Sequence, residues 1–156
     1  MVILIREAEK QDIDEMFEIR CLASELSLES YTERETKLMT EAKSEEHFEE
    51  LLNKKGRINL VAIKCREVVG YLSFELERNW LWEIFVSPDY KGKGMGTKLL
   101  EELLARLEQK EIREVNVYSR LNSVGFYERN DFVSVGTHDW KIGDNKIELL
   151  LMRREF

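Results

Sequence analysis

A chain of 156 residues can bury one hydrophobic core, and 43% hydrophobic against 35% charged residues excludes both a disordered polyelectrolyte and a membrane-embedded bundle. The formal net charge of −7 argues against nucleic acid as the main partner and leans towards a cationic substrate. Arg6, Glu7 and Glu9 break the first segment before signal-peptide length, and no later run nears the roughly twenty apolar residues of a membrane span, so a single cytoplasmic domain over 1–156 without membrane contact is expected.

Val2 to Ile5 opens a short strand, and Ile13, Met16 and Phe17 then recur at helical spacing. From Leu26 to Thr40 the chain is polar and ambiguous. Ser44 before two glutamates, then Phe48, Leu51 and Leu52, with Lys54, Lys55 and Gly56 closing the segment, predict a helix over 44–54. Ile58 to Ile63 and Val68 to Leu76 read as a hairpin about Cys65-Arg66-Glu67, and Leu81 to Val86 as a third strand that stops at the only proline, Pro88. Leu99, Leu100, Leu103, Leu104 and Leu107 form one apolar stripe, which predicts a long amphipathic helix over 94–110. Val115 to Tyr118 is the next strand, Ser123 to Arg129 a short helix, and Phe132 to Val135 with Ile147 to Met152 a closing hairpin around Gly143-Asp144-Asn145. The strand, helix and strand at 81–118 imply a right-handed parallel crossover within an otherwise antiparallel sheet. Cys21 and Cys65 lie far apart, without the spacing of a zinc site, and read as reduced core thiols.

The loop between the third strand and the long helix carries Gly92, Gly94 and Gly96 among Lys91, Lys93 and Lys98. Glycines let backbone approach a ligand, the first N–H groups of a helix have no intrahelical acceptor, and the helix dipole adds positive potential. That chemistry suits a pyrophosphate. Thr97 stands where the third glycine of G-x-G-x-x-G would be, and the spacing of a nucleotide P-loop is absent, which disfavours a dinucleotide or nucleotide site. A tight turn with solvated lysines is the bland alternative.

This stretch resembles motif A of the GNAT N-acetyltransferases, Q/R-x-x-G-x-G/A after a strand ending in V-x-P. Here Lys91-Gly92-Lys93-Gly94-Met95-Gly96 follows Val86-Ser87-Pro88, with Lys91 in place of Gln or Arg. Downstream, Asn122 through Tyr127-Glu128-Arg129-Asn130-Asp131-Phe132 is similar to the family's N-x-x-A-x-x-F-Y-E-K-x-G-F, shorter by two residues and with Asp131 for glycine. The resemblance implies an α/β fold: a mixed, mostly antiparallel sheet with one parallel pair splayed around the cofactor and helices on both faces. It implies acetyl-CoA as cofactor and direct transfer to the amine of a small molecule or peptide. A non-catalytic CoA-binding sensor of the same fold is the alternative, and a homodimer stays open.

The same resemblance would set the pyrophosphate on Lys91, Gly92, Lys93, Gly94, Met95, Gly96 and Thr97, and the pantetheine beside Ile84 and Val86, with Asn122 and Tyr127 also at the cofactor. The Val86 N–H would be an oxyanion donor, although an ordinary core valine fits the sequence equally well. An alkylamine titrates near 10.4, so its neutral form at pH 7 costs roughly 4.6 kcal/mol and a base is expected. Glu83, enclosed by Leu81, Trp82, Ile84 and Phe85, is either that base, with its proton affinity raised by burial, or a solvent-facing strand residue. Tyr127 is a hydroxyl donor to the departing thiolate or a buried aromatic. His47 and His138 read as surface or capped histidines. The glutamates from Glu29 to Glu50 either draw a cationic amine or form a solvated face. Trp80, Trp82 and Trp140 read as core or rim aromatics that could wall the acceptor pocket, and the acceptor side is expected from 22–56 and the closing hairpin.

Overall fold

The computed structural model describes residues 2–156. Its strands are β1 (Leu4–Glu7), β2 (Arg57–Lys64), β3 (Glu67–Glu75), β4 (Trp80–Val86), β5 (Glu114–Ser119), β6 (Val133–Ile142) and β7 (Asn145–Glu155). Its helices are α1 (Ile13–Ser24), α2 (Glu33–Glu41), α3 (Glu45–Asn53), α4 (Met95–Gln109) and α5 (Val124–Arg129). The strands form one sheet in the order β1-β2-β3-β4-β5-β7-β6, antiparallel throughout except for β4 and β5. The expected parallel crossover through α4 is present.

Each face of the sheet is covered by the helix whose apolar stripe fits it. Leu99, Leu100, Leu103 and Leu107 of α4 are buried against Leu60, Leu72 and Phe74, and α5 adds Tyr127 to the same core. On the other face, Ile13, Met16 and Ile19 of α1 and Phe48 and Leu51 of α3 pack on Val61 and Tyr71. Leu103 is fully buried, so Leu103→Ala would cost about 2–5 kcal/mol.

Several elements depart from the sequence reading. β1 starts at Leu4, because pairing with Leu60 to Ile63 fixes its register. The ambiguous stretch contains a 3-10 turn over Glu25–Glu29 and then α2, begun by a reciprocal cap: the Glu35 N–H donates to Thr32 Oγ1, and the Thr32 N–H to Glu35 Oε1. Only Thr36 and Met39 of α2 are buried, which is why its periodicity is faint. β6 runs to Ile142 rather than Val135: it is an edge strand, exposed along most of its length, and owes its form to the β7 ladder rather than to apolar alternation. Phe132 precedes it, in the core. β7 is likewise longer than expected, and Gly143 takes the left-handed conformation (φ 58°) in the turn between them. Cys21 is half-buried and Cys65 is exposed in the β2–β3 turn, so Cys65 is not the core thiol expected; both are free.

The irregularity that matters most lies in β4. Ser73 pairs with Glu83 and Phe74 with Leu81, leaving Trp82 as the extra residue of a β-bulge. Leu81 therefore faces α4, while Glu83 and Phe85, two and four residues on, face α1 and α3. Parallel pairing with β5 is confined to Trp80↔Asn116 and Leu81↔Val117, and the strands diverge from the bulge onward.

Candidate active site

Two cavities, of about 520 and 590 Å³, open on either side of that divergence. They share Ile84, Phe85, Arg120, Ser123 and Tyr127. The larger is walled by the glycine loop and the smaller by charged side chains.

The glycine-loop cavity is set apart by the main chain it presents, between side chains such as Leu26, Phe126 and Arg129. Gly94 caps α4 in the left-handed conformation (φ 81°) and no side chain caps the helix, so the N–H groups of Met95, Gly96 and Thr97 begin it without intrahelical acceptors. At Gly96 a Cβ would lie 2.9 Å from the Phe126 ring, so glycine lets α4 lie against α5. The strand edge of β4 also faces this side. The Ser87 N–H donates to the Val69 carbonyl (2.9 Å), and by antiparallel alternation the N–H and C=O groups of Val86 and Ile84 point the other way, to the edge that β5 has left. Asn122 lines the cavity, and its Oδ1 is buried without a hydrogen-bond partner. Uncapped N–H groups, an open strand edge and an orphan acceptor together fit a long, amide-bearing ligand with an anionic end.

Lys91, Gly92, Gly94, Gly96 and Thr97 line this cavity, as do Ile84, Val86, Asn122 and Tyr127. The side chains of two other expected residues turn elsewhere: Met95 into the core at 1% exposure, and the Lys93 ammonium over the Tyr90 ring at 5.4 Å. Lys91 pairs with Glu29 at 3.3 Å.

The second cavity is built around Glu83. Its carboxylate is buried and accepts from His47 Nε2 (2.6 Å) and the Tyr71 hydroxyl (3.0 Å), with Arg20 Nε at 3.4 Å. Burial alone would raise its proton affinity, as the sequence suggested; the His47 hydrogen bond and charge, the Arg20 charge and the Tyr71 hydrogen bond outweigh it and hold the carboxyl below its ordinary range. Glu83 is therefore neither solvent-facing nor a carboxylate of raised basicity. Tyr71, buried against Glu83, has its pKa raised well above the ordinary phenol and stays protonated.

His47, read from sequence as a surface residue, lies at the centre of this cavity, and His138 stacks on Tyr118 (4.1 Å between centroids) in the same wall. Trp82 and Trp140 also line it, whereas Trp80 packs on Tyr118 behind it. Of the glutamates from Glu29 to Glu50 only Glu50 reaches the wall. The lining cations, Arg20, Lys43, Lys54, Arg57 and Arg120, outnumber Glu50 and Glu83, so the acidic character of the whole chain does not extend to this cavity. Arg120 spans both cavities, with its guanidinium 5.1 Å from the Phe85 centroid; burial and the neighbouring Arg20 lower its pKa to about 10, so it remains a cation at neutral pH.

Tyr127 is 5% exposed and lines both cavities. Burial raises its pKa above the ordinary phenol, with Arg120 acting weakly against it. The hydroxyl thus keeps its proton and serves as a hydrogen-bond donor more readily than as an acid.

Sequence reasoning missed Arg20, His47, Tyr71 and Arg120. Arg20 had a signal: it continues the stripe of Ile13, Met16 and Phe17, where a buried charge needs a carboxylate partner.

The acetyltransferase (GNAT) domain model matches residues 27–156. The chain is 33% identical over 52 residues to the chloroplastic GCN5-related N-acetyltransferase 2 of Arabidopsis thaliana, a stretch that covers 33% of this chain and 20% of that protein. It is 28% identical over 53 residues to an uncharacterized N-acetyltransferase of Pyropia yezoensis, covering 34% of this chain and 30% of that one. The chain thus matches less than a third of the length of these curated relatives. Among solved structures, the fold is similar to a GCN5-related N-acetyltransferase from Rhodopseudomonas palustris (TM-score 0.90, 21% identity, 100% of this chain and 99% of that one). It is also similar to the PaiA N-acetyltransferase of Thermoplasma acidophilum in complex with coenzyme A (TM-score 0.82, 23% identity, 100% of both chains). With the bulged β4, the uncapped glycine helix and a family match from residue 27 to the end of the sequence, the chain belongs to the GNAT acetyltransferase family.

Proposed function

We propose that the chain transfers an acetyl group from acetyl-CoA to a primary amine, directly, within a ternary complex on one folded domain. The observation that carries this reading is the meeting of two chemically different cavities at the divergence of β4 from β5, where Tyr127 borders both. The donor supplies an acyl group already activated as a thioester.

The chain's own groups divide the remaining work. The N–H groups at the start of α4 and in the Gly92–Thr97 loop receive the pyrophosphate, Asn122 Oδ1 accepts an amide N–H, and the edge of Ile84 and Val86 pairs with the pantetheine arm. The outward Val86 N–H offers a hydrogen bond where negative charge develops on the acyl oxygen, a contribution worth about 3 kcal/mol in other enzymes. Glu83 accepts the Nε2 proton of His47 as a hydrogen bond and thereby leaves Nδ1, which makes no hydrogen bond among the described residues, to take the amine proton. Tyr127 donates a hydrogen bond to the departing sulfur without surrendering its proton.

Acetyl-CoA at a hundred times its dissociation constant should stabilise the fold by about 2.7 kcal/mol, an increase in Tm of about 5 to 10 °C. Thiol release across a panel of amines then tests turnover. Absence of a thermal shift rejects the donor site, and a shift without turnover on any amine identifies a CoA-binding module in place of an enzyme.

A further inference from the structure

We propose that the charged cavity selects an amine that also bears an oxyanionic group, a carboxylate or a phosphate, held by Lys43, Lys54 and Arg57 while the amine meets His47 and Glu83. This rests on the acetyl-transfer reading and names the substrate class that the cavity fits.

The argument starts from a local inversion of charge. The chain has 31 acidic and 24 basic residues, so a cavity wall drawn at random should be acidic. Instead, among its charged groups only Glu50 and Glu83 are anionic. Glu83 is already engaged by His47, Tyr71 and Arg20, so little of its charge is left to balance a polycation. Arg57 has a partial counter-ion in Glu75 (3.7 Å). Lys43, Lys54 and Arg120 form no ion pair within 4.0 Å among the described residues.

These cations have different structural origins. Lys54 follows the last turn of α3, where a cation also favours the helix dipole. Arg57 opens β2, two residues from Asn59 on the same face, and its Nη1 lies 3.4 Å from the Ser73 hydroxyl, whose strand neighbour across the ladder is Glu83. Lys43 comes from the loop ahead of α3. Helix packing does not call for all three on one wall. A polycationic acceptor would bring further positive charge to this wall, whereas a zwitterionic one complements it: its oxyanion faces the lysines and Arg57, and its ammonium faces the Glu83–His47 pair.

Matched acceptors test this with the full chain and acetyl-CoA: an α-amino acid against its carboxamide, phosphoethanolamine against ethanolamine, and spermidine as the polycation. Thiol release gives kcat/KM, and the thermal shift with acetyl-CoA is recorded in parallel. The expected result is at least about a tenfold preference for the anionic member of one pair, and which pair responds distinguishes carboxylate from phosphate. Lys43→Glu and Lys54→Glu, at exposed positions, should each lower kcat/KM for that acceptor by about tenfold while its uncharged partner changes by less than about twofold. Equal or better turnover of the carboxamide, ethanolamine or spermidine overturns the inference, as does indifference of the anionic acceptor to both charge reversals. Binding of acetyl-CoA without acetylation of any anionic amine also overturns it and leaves the donor site standing. Failure to bind acetyl-CoA overturns the reading beneath it.

Discussion

The two cavities are built from different materials. The wall of the glycine loop turns main chain towards its cavity: N–H groups at a helix start, a strand edge and glycines whose importance lies in what they lack. The other wall is distinguished by its charged side chains, which come from α1, α3 and the segments that flank it, β2, β4 and the β5–α5 turn. Backbone sites are conferred by conformation, so they change little when surface residues do. Side-chain sites are set residue by residue, and a donor common to many reactions can therefore sit opposite an acceptor wall that is free to vary.

Substitutions that attack one wall at a time break or sharpen this contrast. The largest effect is expected from Glu83→Gln, which leaves Arg20 without its counter-charge and His47 without its carboxylate partner. Urea denaturation should show a loss of about 3–5 kcal/mol, with thiol release reduced by about 10²- to 10⁴-fold. Because the folded-state pKa of Glu83 lies below its unfolded value of about 4.3, the wild-type contribution is complete above that value and is lost as pH falls through the folded one. The variant should accordingly lose less stability than wild type on acidification. Next, Gly96→Val drives a side chain into Phe126; a cost of about 1–3 kcal/mol should accompany disappearance of the acetyl-CoA thermal shift, with both read in one melting series. An unchanged shift would mean that the helix start does not bind the donor.

Tyr127→Phe removes a hydroxyl that borders both walls. Turnover should fall by about tenfold with the acetyl-CoA thermal shift intact, and the wild-type pH–rate profile should show no loss from this phenol up to about pH 10. The smallest change is expected from Lys91→Ala: its pair with Glu29 is exposed and contributes less than about 1 kcal/mol to folding, and the donor dissociation constant, measured by calorimetry, should rise only about two- to fivefold.

The backbone wall was legible in the sequence for the reason that makes it tolerant. A helix start that must admit a ligand requires glycine at fixed spacing, and Gly92, Gly94 and Gly96 announce it between a strand and an apolar stripe. Of the side-chain wall, Glu83, Tyr127, Trp82 and Trp140 could be named from the sequence, whereas His47, Arg57 and Arg120 could not, because they are brought to Glu83 only by the sheet and have no common spacing. The element order followed from periodicity, except where tertiary context replaces it. α2 was overlooked because two buried residues make a weak stripe, although Thr32 and Glu35 stand at the separation of a reciprocal cap. β6 was cut short because an edge strand exposed on both sides has no alternation to read.

The bulge at Trp82 gives this difference a mechanical basis. With an unbroken pleat, Leu81 and Glu83 would share a side, and the strand could either fill the leucine core or supply the carboxylate, but not both. One supernumerary residue lets a single strand serve two layers of opposite polarity and releases its neighbour at the same point. Closing that bulge with Trp82 kept in place would turn Glu83 out of the charged cavity and carry β4 on along β5, which erases the fork between the two cavities.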